Sequence, residues 1–245
     1  MTKLLAYPLT ILYFICFGLT LAVFHPIQWF CRNVFGYQVH KISVDWLQFF
    51  LMRSLNILGT TFSLTNPYTI EKGVPLILVC NHQSLHDIPP LIWYFRKHHV
   101  KFISKKELGK GIPSVSYNLR HGGSVLIDRK KPIESIKAIE DFAKRIEKNK
   151  WAAVIFPEGT RSRDGKPKPF KTKGLLAMIK NAPNALLVPI TINNSWKTIR
   201  YGKFPMGLGT KISYTVHKPL QANHFEDKLE LIHLIEAQVK SNIEV

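Results

Sequence analysis

The stretch Pro75-Leu76-Ile77-Leu78-Val79-Cys80-Asn81-His82-Gln83-Ser84-Leu85-His86-Asp87 changes from apolar to polar between Cys80 and Asn81. The apolar part is short and rich in branched side chains, so it reads as a buried strand, with the polar groups at its carboxyl end. Open α/β sheets gather their ligands at such ends. A continuous α-helix would set His82 and Asp87 roughly 140° apart around its axis, so a turn is expected to join them. Pro89 is expected to push Ile88 out of the right-handed helical region. The next helix then starts near Pro89 and leaves Asp87 free to reach back to His82. A carboxylate on the imidazole fixes its tautomer and raises its basicity, which suits a general base acting on a hydroxyl.

Other readings of the same residues stand beside this one. His82 and His86, four apart, would suit a zinc pair on a helix, although Gln83 stands where a zincin has Glu and no third ligand cluster is evident, so no metal is expected. Cys80 or Ser84 as a nucleophile lacks a Gly-x-Ser-x-Gly elbow. A loop whose Asn and His merely cap a helix is equally compatible with this segment alone.

From Tyr68 onward the chain alternates short apolar runs with helical stretches, the pattern of a single α/β domain with a mixed sheet covered by helices. Strands are expected at His99–Ile103, Ser124–Ile127, Trp151–Phe156, Ala185–Ile192 and Lys211–Val216. Helices are expected at Pro89–Lys97, Pro132–Asn149, Gly174–Lys180 and about Phe225–Val239. Ile136, Ile139, Phe142, Ala143 and Ile146 fall on one side of the second of these.

Ahead of this domain, Leu4 to Phe24 carries no charged residue and, as a helix, would span about 30 Å, the thickness of a bilayer core. Lys3 alone makes a poor signal-peptide n-region, so a retained membrane segment is expected. Pro26 interrupts this stretch. A second apolar segment, Val44 to Leu58, follows with Val44, Leu47, Leu51, Leu55 and Leu58 on one face, suited to an interface or to packing on the domain. Residues 1–60 therefore read as membrane-associated helices and 61–245 as the α/β domain. Spanning and monotopic arrangements are both compatible with the pattern. Arg32 and Lys41 place the body on the cytoplasmic side.

The formal charge of +18, from 34 Lys and Arg against 16 Asp and Glu, points to a polyanionic partner surface such as anionic lipid headgroups or nucleic acid. With 46% hydrophobic residues the chain is no disordered polycation. Three cysteines make no disulfide framework.

Two further segments sit at strand ends. Phe156-Pro157-Glu158-Gly159-Thr160-Arg161-Ser162-Arg163 joins a glycine, whose backbone can approach an anion, to several donors and makes a phosphate cradle. Glu158 reads as an organiser of that loop, or as a salt-bridge partner of Arg161 or Arg163. Gly122 to Arg129 is a glycine turn leading into a strand that ends on a guanidinium able to hold phosphate. Lys105 and Lys106 add charge, and Gly165 to Lys173 reads as a basic loop facing headgroups.

These segments, in this order, resemble the glycerolipid acyltransferase family, most closely the bacterial 1-acyl-sn-glycerol-3-phosphate acyltransferases. Asn81-His82 to Asp87 is similar to its Asn-His-x-x-x-x-Asp motif, Gly123 to Arg129 to Gly-x-x-Phe-Ile-x-Arg with Leu126 for the aromatic, and Phe156 to Arg161 to Phe-Pro-Glu-Gly-Thr-Arg. Val188-Pro189-Ile190 is similar to its apolar fourth motif. The resemblance implies His82 as base and Asp87 as its partner, and acceptor phosphate held by Lys105, Gly123, Arg129, Glu158, Gly159, Thr160 and Arg161. It implies lysophosphatidic acid and acyl-CoA or acyl carrier protein as substrates, no cofactor, and a place in a bacterial inner membrane. Another lysolipid or an amino-acid lipid as acceptor is the alternative within enzymes. The alternative outside them is a basic module binding membrane or nucleic acid, although nucleic acid is not expected as a partner.

Overall fold

The computed structural model describes residues 2–244. Its elements are α1 (Thr2–Val34), α2 (Tyr37–Leu55), β1 (Thr61–Thr65), β2 (Leu76–Cys80), α3 (Ile88–Tyr94), β3 (Val100–Lys105), α4 (Val115–His121), β4 (Val125–Ile127), α5 (Pro132–Asn149), β5 (Ala152–Ile155), α6 (Thr172–Asn181), β6 (Leu186–Asn193), β7 (Lys211–Val216), β8 (Leu220–Gln221) and α7 (Lys228–Ser241). The strands form one mixed sheet in the order β1-β7-β6-β2-β5-β3-β4. β6, β2, β5, β3 and β4 are mutually parallel, so their carboxyl ends share one edge of the molecule. β7 and β8 run antiparallel to β6, and β1 lies parallel to β7.

β2 shows why the apolar run is continuous rather than alternating. Ile77 and Val79 enter a core shared with α5, α6 and α7, while Leu76, Leu78 and Cys80 enter the core on the other face with α3 and Val44 of α2. A strand covered on both faces is apolar at every position. α5 has the expected bounds, with Pro132 in its first turn and Ile139, Phe142, Ala143 and Ile146 buried. It ends where Lys150 turns left-handed, and the Lys150 and Trp151 N–H groups bond Glu147 O and Ile146 O.

The N-terminal part departs from expectation. α1 does not break at Pro26 but runs through it to Val34, and α2 starts at Tyr37, well before Val44. Pro26 removes one ladder donor, yet the helix is docked on either side of it, through Leu21 and His25 before and Gln28 after. The two helices fold back antiparallel, with Leu21 against Leu47 and Leu51, and Tyr13 against Leu55 and Leu58. Ala6, Thr10, Tyr13 and Leu21 form the inward stripe of α1. Leu4, Ile11, Ile15, Leu19, Val23, Phe30 and Val34 are exposed along the other, and Trp46 and Phe50 of α2 are exposed beside them. The face of α2 formed by Val44, Leu47, Leu51 and Leu55, with Leu58 just beyond the helix, is thus spent on packing within the protein.

Three elements, the two-residue β8 and, of more weight, β1 and α4, lie outside the expected set. β1 has polar residues at alternate positions on an edge, and α4 is a short polar segment wedged beneath α1. Both are held by neighbours rather than by an apolar pattern of their own.

Phe142 lies at the centre of the helix-covered core with no exposed surface, so Phe142→Ala should cost about 3–5 kcal/mol. Ile133 on the same helix is 86% exposed, and Ile133→Ala should stay within about 0.5 kcal/mol. Urea unfolding in detergent compares the two.

Candidate active site

At the end of β2 the chain leaves the sheet in a way that Asn81 controls. Its side chain donates to Ile192 O at 2.8 Å and accepts from Ile192 N at 2.7 Å, so it pairs with β6 as a further residue of backbone would. Ser84 then opens a single 3-10 turn, Leu85–Asp87, through a capping box. Its hydroxyl accepts from His86 N, and the Asp87 carboxylate reaches back to the Ser84 N–H. The turn runs directly into α3. Ile88 is right-handed helical at φ −76°, ψ −50°, which corrects the expected displacement by Pro89. The proline sits in the first turn of α3, where its missing N–H costs nothing, and the continuous turn outweighs the local steric preference.

Asp87 has no exposed surface. Its Oδ2 accepts from His82 Nδ1 at 2.7 Å, Gln83 N at 2.8 Å and Ser84 N at 3.0 Å, and Ser195 Oγ donates to Oδ1. With Nδ1 donating to the carboxylate, the imidazole carries its proton there and leaves Nε2 as a proton acceptor. The ring lies flat on Phe156, 4.0 Å between centroids and 17° between planes, and the side chain is 13% exposed.

The next strand over, β5, ends in Phe156-Pro157-Glu158-Gly159. Glu158 is buried. Its Oε1 accepts from the backbone N–H of His82 at 3.1 Å and its Oε2 from that of Lys168 at 3.4 Å, so it splices the two loops. These N–H groups take the place of a salt bridge to Arg161 or Arg163. Burial raises the carboxyl to about 7, against the opposing pull of the two N–H bonds. Ser162 N closes the splice on His82 O at 2.7 Å. Gly159 has φ +73°, and a Cβ there would lie 3.3 Å from Lys171 Nζ. Arg129, just beyond β4, donates from Nη1 to Gly159 O. Lys168 Nζ turns onto Thr160 Oγ1 at 3.1 Å and Arg161 O at 2.8 Å.

The structure thus brings His82, Asp87, Glu158, Gly159, Thr160, Arg161 and Arg129 to one rim. Lys105 ends β3 at the same edge, in register with Ile127 of β4, with its side chain exposed. Gly123 is not there. It precedes β4 at the opposite end, where a Cβ would meet the Trp151 ring at 2.9 Å, and roughly 20 Å of extended chain separates it from Arg129. Its φ of +93° serves the turn out of α4, not an anion. Lys168 and Lys171 face this loop, which departs from the expectation that the Gly165 to Lys173 tract faces headgroups. Ser195 carries no signal in the sequence, being a serine after two asparagines.

The competing roles are taken up by other contacts. Cys80 is buried in β2, and burial pushes its thiol well above the ordinary value, with Asp87 adding to the shift. Thr198 Oγ1 donates to Ser195 O at 2.7 Å and so must accept from His86 Nδ1 at 2.8 Å. His86 Nε2 in turn accepts from Tyr13 OH of α1 at 3.2 Å. Both ring nitrogens are therefore engaged within the protein, and His86 does not face His82.

A family model described as Acyltransferase matches residues 61–193. A 1-acyl-sn-glycerol-3-phosphate acyltransferase from Cocos nucifera is 29% identical over 70% of this chain and 57% of its own length. Proteins of the same name from Helicobacter pylori and Saccharomyces cerevisiae are 36% and 32% identical, over 52% and 75% of this chain and 54% and 55% of their own lengths. The chain thus spans a little over half the length of these relatives. The crystal structure of the 1-acyl-sn-glycerophosphate (LPA) acyltransferase PlsC from Thermotoga maritima superimposes with a TM-score of 0.77 at 24% identity, over 99% of this chain and 97% of that one. That likeness shows the fold.

Burial lowers His86 from 6.5 to about 4. The unfolded chain therefore takes up this proton at higher pH than the fold does. The stabilisation is complete above about pH 6.5 and is lost as pH falls toward about 4. In His86→Gln the drop in Tm between about pH 7 and pH 4.5 should be smaller than in the parent protein, as thermal scans in detergent would record.

Proposed function

Because the chain belongs to the acyltransferase family, matched over residues 61–193, we propose that it transfers an acyl group from a thioester to the free hydroxyl of lysophosphatidic acid, giving phosphatidic acid. The observation that carries this reading is the His82–Asp87 pair, its Nδ1 bonded to the buried carboxylate and the ring partly open to solvent beside a rim of cations. His82 Nε2 takes the hydroxyl proton as the oxygen attacks the thioester carbonyl. The tetrahedral intermediate then collapses, the C–S bond breaks, and the leaving thiolate takes the proton from the imidazolium. Every atom is accounted for without a covalent acyl-enzyme.

Arg129, Arg161 and Lys105 supply the charge for the acceptor phosphate, with Gly159 giving it access to the loop backbone. Glu158 organises that loop through the N–H groups of His82 and Lys168 rather than touching phosphate. The donor is acyl-CoA or acyl carrier protein, both of which present the same thioester.

Residues 1–60 hold the membrane and 61–245 carry out the chemistry. Lys3–Val34 is long and apolar enough to cross a bilayer, but hydrogen bonds tie it to the body along its length. Thr10 Oγ1 accepts from Met206 N, Tyr13 OH meets His86, Leu21 O accepts from Ser114 Oγ, and His25 Nδ1 accepts from Ser114 N. A helix bound in this way lies in one leaflet with its outer stripe in lipid. We place the body on the cytoplasmic face of a bacterial inner membrane, where its basic surface meets anionic headgroups, although Lys41 itself is taken up by Asp45 and Arg96 O.

Purified protein incubated with lysophosphatidic acid and each donor should yield phosphatidic acid. His82→Ala should lower turnover by about 10²–10⁴-fold while vesicle sedimentation is unchanged. Turnover retained by the variant would remove His82 from the mechanism. Arg129→Ala should raise KM for the acceptor more than it lowers kcat.

A further inference from the structure

We infer that Ser195 is a positioning residue that fixes the plane of the Asp87 carboxylate and, through it, the tautomer and orientation of His82. The inference rests on the proposed reaction. Ser195 lies beyond the span matched by the family model, just after β6, in the 3-10 turn Ser195–Ile199.

The three donors on Asp87 Oδ2 come from its own loop, from His82, Gln83 and Ser84. They hold Oδ2 alone, and turning the carboxylate about the bond that joins it to Cβ, a torsion with a broad, shallow profile, would swing Oδ2 off these donors unless Oδ1 is held as well. Oδ1 is shut off from bulk solvent, because the residue has no exposed surface. Ser195 Oγ supplies the donor that Oδ1 accepts, and Ser195 is itself fully buried. Its single hydroxyl proton is committed there, since the other neighbour, Gln83 Oε1, is 3.4 Å away. Donors on both oxygens define the carboxylate plane, and the plane sets the direction in which Oδ2 meets the imidazole.

The turn that carries Ser195 is built to hold still. Asn194 before it is left-handed at φ 66°. Thr198 Oγ1 donates to Ser195 O and itself accepts from His86 Nδ1. One turn therefore grips two consecutive residues of the catalytic loop, His86 and Asp87. The strand leading into that turn is tied to the strand leading into the loop by the paired Asn81–Ile192 bonds. This arrangement registers the base against β6 as well as against its own loop.

Removing the hydroxyl should misdirect the base without touching substrate. Ser195→Ala and Ser195→Cys should each lower kcat by about 10–100-fold, the scale of a slight misplacement at a reacting centre, and leave KM for lysophosphatidic acid within about twofold. A readout independent of turnover is the proton NMR signal of His82 Nδ1–H in 15N-histidine-labelled protein, assigned by its loss in His82→Ala. It should be sharp and far downfield in the parent protein, and shifted or broadened by exchange in both variants. Failure of the parent protein to transfer acyl groups from either donor would sink the proposed reaction. Parent activity together with wild-type kcat and an unmoved Nδ1–H signal in a folded Ser195 variant would overturn the role of Ser195 alone. A change in kcat and KM together, with the signal unmoved, would overturn it as well, because that marks general loosening. Should the alanine variant fail to fold, the cysteine variant, nearly equal in volume and a weaker donor, decides by the same two measurements.

Discussion

Burying the Asp87 carboxylate is the constraint around which the site is arranged. An ionised carboxyl withdrawn from water is tolerated only when its lone pairs are met by donors. Here the donors come from the imidazole, two backbone N–H groups of a tight turn and a hydroxyl from a distant strand end. Each donor has to be delivered by a different feature. The 3-10 turn presents the N–H groups, the end of β6 presents the hydroxyl, and Asn81 keeps β2 and β6 in step. Satisfying the carboxylate and orienting the His82 imidazole are thus one structural problem with one solution.

The parallel order of the central strands solves a second problem, that of gathering. Residues far apart in sequence reach a common rim because β2, β5, β3 and β4 all end at the same edge. Glu158 shows what this juxtaposition demands. It is a buried acid raised to about 7, and it fastens the His82 and Lys168 segments through their backbones. A carboxylate that paired with Arg161 would have cancelled its charge; one turned inward leaves that charge unopposed by Glu158.

Much of this is legible in the residues. The apolar run into His82, the periodicity of Pro132 to Asn149 and the glycine-cation loop after Phe156 each follow from local chemistry, and the structure places them where that chemistry predicts. What is hidden shares a cause. β1, α4, Ser195 and the run of α1 through Pro26 are determined by partners distant in sequence, and no local pattern announces such a partner. Gly123 is the converse. A glycine next to a motif reads as part of its ligand set, whereas its backbone turn belongs to the far end of the strand. His86 belongs with the hidden features, because nothing near it in sequence points to Tyr13 or Thr198.

The seat of Tyr13 has a practical consequence for anyone trimming this protein toward a soluble form. Cutting away α1 would do more than remove grease. It would bare Leu55, Leu58 and Met206, which now close over the tyrosine ring, and strip a buried imidazole beside Asp87 of one of its two partners. The helix thus supports the loop that carries Asp87, so detergent or nanodiscs, rather than truncation, are the route to a folded preparation.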